Sequence, residues 1–295
     1  MNLIRKHILL TMLIVVWLAL FVPSMYELVS LSLDSETHSH IVMIPFVSIY
    51  LLCLNRKKIF MQTALAQKHG FIVVCMSLVI YAAGVISVNR FALNDYLFFP
   101  TLAGIAFIIG IFIWLAGLRA FKSAAFALLF LLFMVPIPLF ILDGFIKLLQ
   151  ACTAEMTDVV FKVIGMPVFR EGLVFSLTDV SIEVAKQCSG IRSSLVLIII
   201  SVLVGYMYLN SNWRRVALVV AVIPISIFKN ALRIVLLAWM GNYVDISWLT
   251  DSALHSRGGI PFMFVALLFL LPVLWLLRIG ERKSDLNKSC GEAVA

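Results

Sequence analysis

Long apolar runs alternate with short polar breaks along this chain, at about 8–25, 41–54, 70–87, 97–117, 124–141, 191–209, 216–241 and 260–277. A helix rises ~1.5 Å per residue, so about 20 apolar residues cross a hydrocarbon core of ~30 Å. The pattern therefore predicts eight transmembrane helices. The second run is short and extends back toward His38. The first follows Arg5 and Lys6, as in a signal peptide. No small-x-small cleavage site follows it cleanly, which predicts a retained anchor.

The segment 142–190 breaks the rhythm. Leu142–Ile164 mixes Asp143, Lys147, Glu155, Asp158 and Lys162 into an apolar background, the pattern of an amphipathic helix lying at an interface. Val168–Phe175 and Thr178–Val184 then alternate like strands, with Gly172 suited to a turn. This predicts a short β-hairpin before the sixth span. It must sit outside the hydrocarbon, because its edges need hydrogen-bond partners. The expected fold is an all-α polytopic membrane protein with about eight spans, an outer interfacial helix and that hairpin. Residues 1–295 form a single integral membrane domain in this reading, with 278–295 as a cytoplasmic tail.

Composition and charge agree with the pattern. Hydrophobic residues make up 63% of the 295 and charged residues 13%, whereas a soluble domain has about a quarter charged. The net charge of +8 would suggest nucleic acid on a soluble protein. Here it reads as topology, and no nucleic-acid partner is expected. With the N-terminus inside, the inner loops receive Arg5, Lys6, Arg56, Lys57, Lys58, Lys68, Arg119, Lys122, Arg214, Arg215, Arg278, Arg282, Lys283 and Lys288, more than half of the 23 basic residues. That bias places both termini in the cytoplasm. The five cysteines, Cys53, Cys75, Cys152, Cys188 and Cys290, form neither a disulfide framework nor a Cys-x-x-Cys metal pair, so no metal and no cofactor is expected.

Three polar stretches interrupt the later spans, and ionisable groups there usually mark function. Gln187-Cys188-Ser189-Gly190-Ile191-Arg192 opens the sixth span. Lys229-Asn230-Ala231-Leu232-Arg233 lies in the outer half of the seventh. Asp251 to Gly259, which includes His255, precedes the eighth. The topology brings all three to the outer boundary. Cys188 sits at a helix start, with Ser189 as N-cap, where the helix dipole favours a thiolate. Arg192, four residues on, would add a positive field. Arg233 lies about 26 Å along its helix from Val216, shares a face with Lys229 and Asn230, and is suited to stabilising an oxyanion. His255 is suited to moving a proton. Each has a plainer reading alone: a small buried cysteine, a snorkelling arginine, a solvated loop histidine. Together a nucleophile, a base and an anion stabiliser point to acyl transfer by a thiol.

Gln187-Cys188-Ser189-Gly190-Ile191-Arg192-Ser193, then Asn230-Ala231-Leu232-Arg233-Ile234, then His255 resembles the exosortase/archaeosortase family. The likeness is most specific from about Gly165 to Leu277 and includes Phe169-Arg170-Glu171-Gly172. It implies a catalytic set of Cys188, Arg233 and His255; beside that set, Arg192, Asn230 and Ser189 are candidates for orienting the site. It also implies a bacterial inner-membrane enzyme with an extracytoplasmic active site. Its partners would be membrane lipid and exported proteins bearing a C-terminal sorting tail: a Pro-Glu-Pro-type motif, a spanning helix and a basic cluster. Such an enzyme would act as a cysteine endopeptidase and transpeptidase. The alternative is a transporter or polymer-export component, which basic residues at one mouth would also suit. Against it stands the lack of matched broken helices in two halves. Cys152 is the other cysteine expected outside, and a bridge from it to Cys188 would disable the nucleophile.

Overall fold

The computed structural model describes residues 3–61, 67–86, 92–178, 180–185, 190–244 and 259–294. Among the described residues the α-helices are α1 (Leu3–Asp34), α2 (Ile44–Phe60), α3 (Gln67–Ile86), α4 (Leu93–Phe130), α5 (Leu139–Val163), α6 (Ile191–Tyr208), α7 (Asn212–Tyr243) and α8 (Gly259–Val294). Three short strands, β1 (Phe169–Glu171), β2 (Val174–Ser176) and β3 (Ser181–Glu183), lie between α5 and α6. The chain divides into two compact units, Met1–Leu142 and Asp143–Ala295.

Among the described residues, six helical stretches are long and apolar enough to cross a membrane. Eight were expected, and the difference has two sources. Helix α2 is only 17 residues long. The fourth and fifth apolar runs are joined in one stretch of 42 residues, Leu93–Met134. At ~1.5 Å per residue that stretch is about twice a hydrocarbon core. It is broken at Gly117, whose φ of 88° and ψ of 169° fall in a region essentially reserved for glycine. Arg119 and Lys122 follow directly, where the sequence predicted the inner loop. The fifth run also ends before 141, because Pro136 and Pro138 break the helix and α5 starts at Leu139. The first run, by contrast, continues through Pro23 to Asp34.

In the first unit, Phe21 of α1, Val74 of α3 and Ala103 and Phe107 of α4 form a buried core. A second core joins Ile59 of α2 to Ala120, Ala124 and Leu128 of α4.

In the second unit, α5 does not qualify as a span and has the amphipathic pattern expected of it. Its buried positions include Ile146, Leu149, Gln150, Thr153, Ala154, Thr157 and Phe161, spaced by three and four along one face. The strands form an antiparallel meander in the order β1-β2-β3, with Arg170 opposite Phe175 and Phe175 opposite Ile182. The expected two-stranded hairpin is thus three-stranded. Gly172, at φ 62°, turns the chain between β1 and β2 where the sequence suggested a turn, and 168–175 is therefore two strands. Phe161, Phe175, Val180, Ile182 and Val184 share one core with Ile234, Val235 and Ala238 of α7. Leu197 of α6, Leu218 and Val222 of α7, and Ala266 and Leu270 of α8 form another.

Candidate active site

The seam between α6 and α7 carries the polar residues. On α6 the buried positions are Ile191, Ser193, Ser194, Leu197, Ser201 and Gly205. Small residues at this spacing let two helix backbones approach closely. The facing stripe of α7 runs Leu218, Val222, Ser226, then Lys229 and Asn230. The seam is mostly apolar toward the C-terminal end of α6 and the start of α7, and polar at the opposite end. Lys229 and Asn230 are each 1% exposed. Arg233, one turn further, is half-buried.

Two contacts join the helices at the polar end. Lys229 Nζ donates to Ser193 Oγ, and Ser193 Oγ donates to the carbonyl of Gly190 at 2.9 Å. The Gly190 carbonyl also accepts the backbone N–H of Ser194 at 2.9 Å. The second contact is steric: a Cβ at Gly190 would collide with the side-chain amide of Asn230. The hydroxyls of Ser194 and Ser226 are buried without a hydrogen-bond partner among the described residues.

Gly190 is the N-cap of α6, with φ 68° and ψ 22°, a left-handed conformation that favours glycine. Ser189 was expected to cap the helix. The cap falls one residue later because only glycine meets both demands there, the positive φ and the close approach of Asn230. Cys188 therefore precedes the cap by two residues rather than one. Arg192 is exposed on α6, away from the buried face that carries Ser193 and Ser194. Lys229 shares a helix face with Arg233 in the sequence pattern. Its burial removes it from any surface, and it points instead into the seam.

The chain on the other side of Cys188 is anchored as well. Val184 N–H donates to the Leu173 carbonyl at 2.9 Å, and Gln150 Nε2 donates to the Val184 carbonyl at 2.8 Å. Strand β3 packs on α7, in the core that includes Ile234 and Val235. The residues bounding 186–189 are thus held against α7 at two places: Gly190 at Asn230, and the end of β3 near Ile234 and Val235. Arg233 lies between these anchors on the same helix. Cys188 and Ser189, and His255 before α8, lie outside the described residues.

The meander is tied to α5 by a bidentate pair. Arg170 donates to Glu155 through Nη1 at 3.1 Å and Nη2 at 2.7 Å. The hydrogen bonds and charge of Arg170 hold the Glu155 carboxyl below its ordinary value. Cys152 is a free, half-buried thiol on α5. Beside Arg233, Leu232 and Leu236 of α7 line an apolar groove with Pro261, Phe262 and Val265 of α8. Among the described residues no charged group lines it, so this stretch suits hydrocarbon or an apolar helix rather than an ion.

Sequence reasoning missed the Ser193–Lys229 contact. The spacing of Ser193, Leu197, Ser201 and Gly205 at intervals of four was a visible signal of a close helix seam. Nothing in the sequence says which polar residue of α7 would meet it.

A family model for the transmembrane exosortase matches residues 26–272. No curated protein matches the chain, and no solved structure does.

Proposed function

The chain belongs to the transmembrane exosortase family, and from that premise we propose that it is a membrane-embedded cysteine endopeptidase and transpeptidase. It cuts the C-terminal sorting tails of exported proteins at the extracytoplasmic face of a bacterial inner membrane. Cys188, Arg233 and His255 carry the chemistry. In this reading eight segments cross the bilayer, the two halves of α4 counting separately and α2 counting as one, and both termini are cytoplasmic.

The observation that carries this reading is the double anchoring around Arg233. Gly190 sits against Asn230, and the end of β3 shares a core with Ile234 and Val235. Consecutive Cα atoms are about 3.8 Å apart, so the Cα of Cys188 lies within about 7.6 Å of the Cα of Gly190. That supports a thiol within reach of the Arg233 guanidinium.

The tail helix of the substrate enters from the lipid and lies along the apolar groove between α7 and α8. Its motif then reaches the interface beside Cys188. The thiolate attacks the scissile carbonyl carbon, and Arg233 stabilises the oxyanion. The carbon–nitrogen bond breaks as His255 gives its proton to the departing amine. The product is a thioester on Cys188. An amine, hydroxyl or water attacks that thioester, its proton passes back to His255, and the thiolate is restored. Arg192 and Asn230 orient this site, and Ser189 lies in the same loop. Asn230 does so by packing against Gly190.

Replacing Cys188 by Ala tests the reading. The variant is expected to fold, to fall in processing rate on the order of 10³-fold or more, and to accumulate uncut substrate on an immunoblot. Mass spectrometry of the wild-type product's new C-terminus separates the two outcomes of the thioester. A free carboxylate means hydrolysis, and an added group means transpeptidation. Normal processing by Cys188→Ala would end the proposal.

A further inference from the structure

The buried pair Lys229 and Ser193 has no part in the chemistry described above. A lysine at 1% exposure on a spanning helix is costly. Among the described residues its hydrogen-bond partner is a hydroxyl, and the two ion pairs, Lys162–Asp158 and Arg170–Glu155, lie elsewhere. A purely structural polar contact between helices could be made by a serine or an asparagine at lower cost. The amine therefore asks for a reason.

One candidate reason is a serine–lysine nucleophile pair. The geometry argues against it. The proton of Ser193 Oγ is committed to the Gly190 carbonyl, and Lys229 Nζ donates into the same oxygen. A base for Ser193 would have to accept that proton. Ser193 is also buried, at 7% exposure. The direction of the contacts runs the other way: amine to hydroxyl, hydroxyl to carbonyl, carbonyl of the residue that caps α6.

We propose that Lys229, acting through Ser193, is a positioning residue that fixes the loop carrying Cys188 and sets the charge that its sulfur meets. This deepens the reading of Cys188 as the nucleophile and rests on it. Three observations carry it. The relay ends on Gly190, two residues from Cys188. Position 190 favours glycine, because its positive φ strains other residues and an added Cβ would collide with the Asn230 amide. The Gly190 carbonyl belongs to the first peptide of α6, whose own N–H is one of the donors that a helix start leaves unpaired within the helix. Hydrogen bonds to a carbonyl polarise the peptide and strengthen its N–H as a donor. A lysine behind Ser193 loads that peptide from one side, and a thiolate ahead of the helix is favoured on the other.

The test reads Cys188 directly and needs no substrate. In the full-length chain, Cys53, Cys75, Cys152 and Cys290 are replaced by alanine, and the alkylation rate of Cys188 by iodoacetamide is measured between about pH 5 and 10. The expected result for Lys229→Met is a midpoint raised by about one pH unit, or ~10-fold slower alkylation below the midpoint. Ser193→Ala moves the midpoint in the same direction, and Ser193→Thr, which keeps the hydroxyl, restores it. A folded Lys229→Met with the original midpoint overturns the proposal. If Lys229→Met does not fold, equal midpoints for Ser193→Ala and Ser193→Thr overturn it. A Cys188 that does not react across the range overturns it too. Failure of the enzymatic reading shows separately, as substrate processing that survives Cys188→Ala.

Discussion

Two helix seams in this chain solve the same problem with different chemistry. In the first unit, α3 and α4 meet through small residues. A Cβ on Gly70 would lie 2.5 Å from the Cα and N of Trp114, and one on Gly110 would lie 2.8 Å from Val74 Cγ2. The hydroxyl of Ser77 on α3 turns back to its own helix, at 2.7 Å from the Val74 carbonyl. In the second unit, α6 and α7 also use small residues, but a buried amine crosses the seam to a hydroxyl and two further hydroxyls are buried beside them. Lipid offers no hydrophobic drive for helices to associate, so close packing and hydrogen bonds between helices do that work. The α3–α4 seam has close packing at its glycines, whereas the α6–α7 seam adds buried polar groups, and such departures from the simplest packing concentrate at functional sites.

Arg233→Met gives the largest effect and breaks the comparison if it fails. The processing rate should fall by about 10²- to 10³-fold, with the melting temperature nearly unchanged, as read by substrate immunoblot and thermal denaturation in detergent. Processing within tenfold of the original would make the polar end of α7 a structural feature like any other.

Gly70→Val probes the opposite seam. The added side chain meets backbone atoms of Trp114, which cannot rotate away, so α3 and α4 must separate. A cost of about 2–3 kcal/mol is expected, measured as a lowered melting temperature. The fraction that remains folded should keep its processing rate. A selective loss of rate with unchanged stability would mean that the first unit takes part in the chemistry.

Much of this was legible before any coordinates, because lipid imposes a strong pattern. The six qualifying stretches fall on predicted runs, and the amphipathic reading of 142–164 matches α5. Where the sequence reads two runs, 97–117 and 124–141, the structure has one stretch of 42 residues broken at Gly117; hydropathy shows the polar break at Arg119 and Lys122 but not the backbone conformation that makes it. The hairpin became a meander because the alternation read over 168–175 runs across the turn at Gly172, which divides it into two three-residue strands. The cap of α6 moved from Ser189 to Gly190 for a tertiary reason, the approach of Asn230 from another helix. The burial of Lys229 does not show in the sequence, because its partner, Ser193, is 36 residues away. Residues that carry charge show in a sequence, but the places where they are buried do not.

Acid separates the two units at smaller amplitude. His38 and His40 lie in the turns between α1 and α2, and burial lowers both below 6.5. His38 Nδ1 also lies 3.0 Å from Ser35 Oγ. The folded state thus takes up protons less readily than the unfolded chain. Stability is intact above 6.5 and declines as pH falls from there through the lowered folded values. The melting temperature should drop by a few degrees over that window, and replacing both histidines by glutamine should flatten it. A profile unchanged by the double replacement would assign the acid sensitivity to other groups.

Glu155→Gln should have the smallest effect on stability and sharpens the contrast most. The Glu155 carboxylate is 72% exposed, and an ion pair in water contributes little. Arg170 holds this carboxyl below its ordinary 4.5, so whatever the pair contributes is present at neutral pH and is lost only in acid, well below the histidine window. The melting temperature should move by no more than about a degree. Yet this pair ties β1 to α5, and the same meander ends at Val184, the anchor just before the Cys188 loop. If Glu155→Gln slows processing while leaving melting unchanged, the meander positions the nucleophile. If neither changes, the core that β3 shares with α7 and the contact of Gly190 with Asn230 place that loop without help from the Glu155–Arg170 pair.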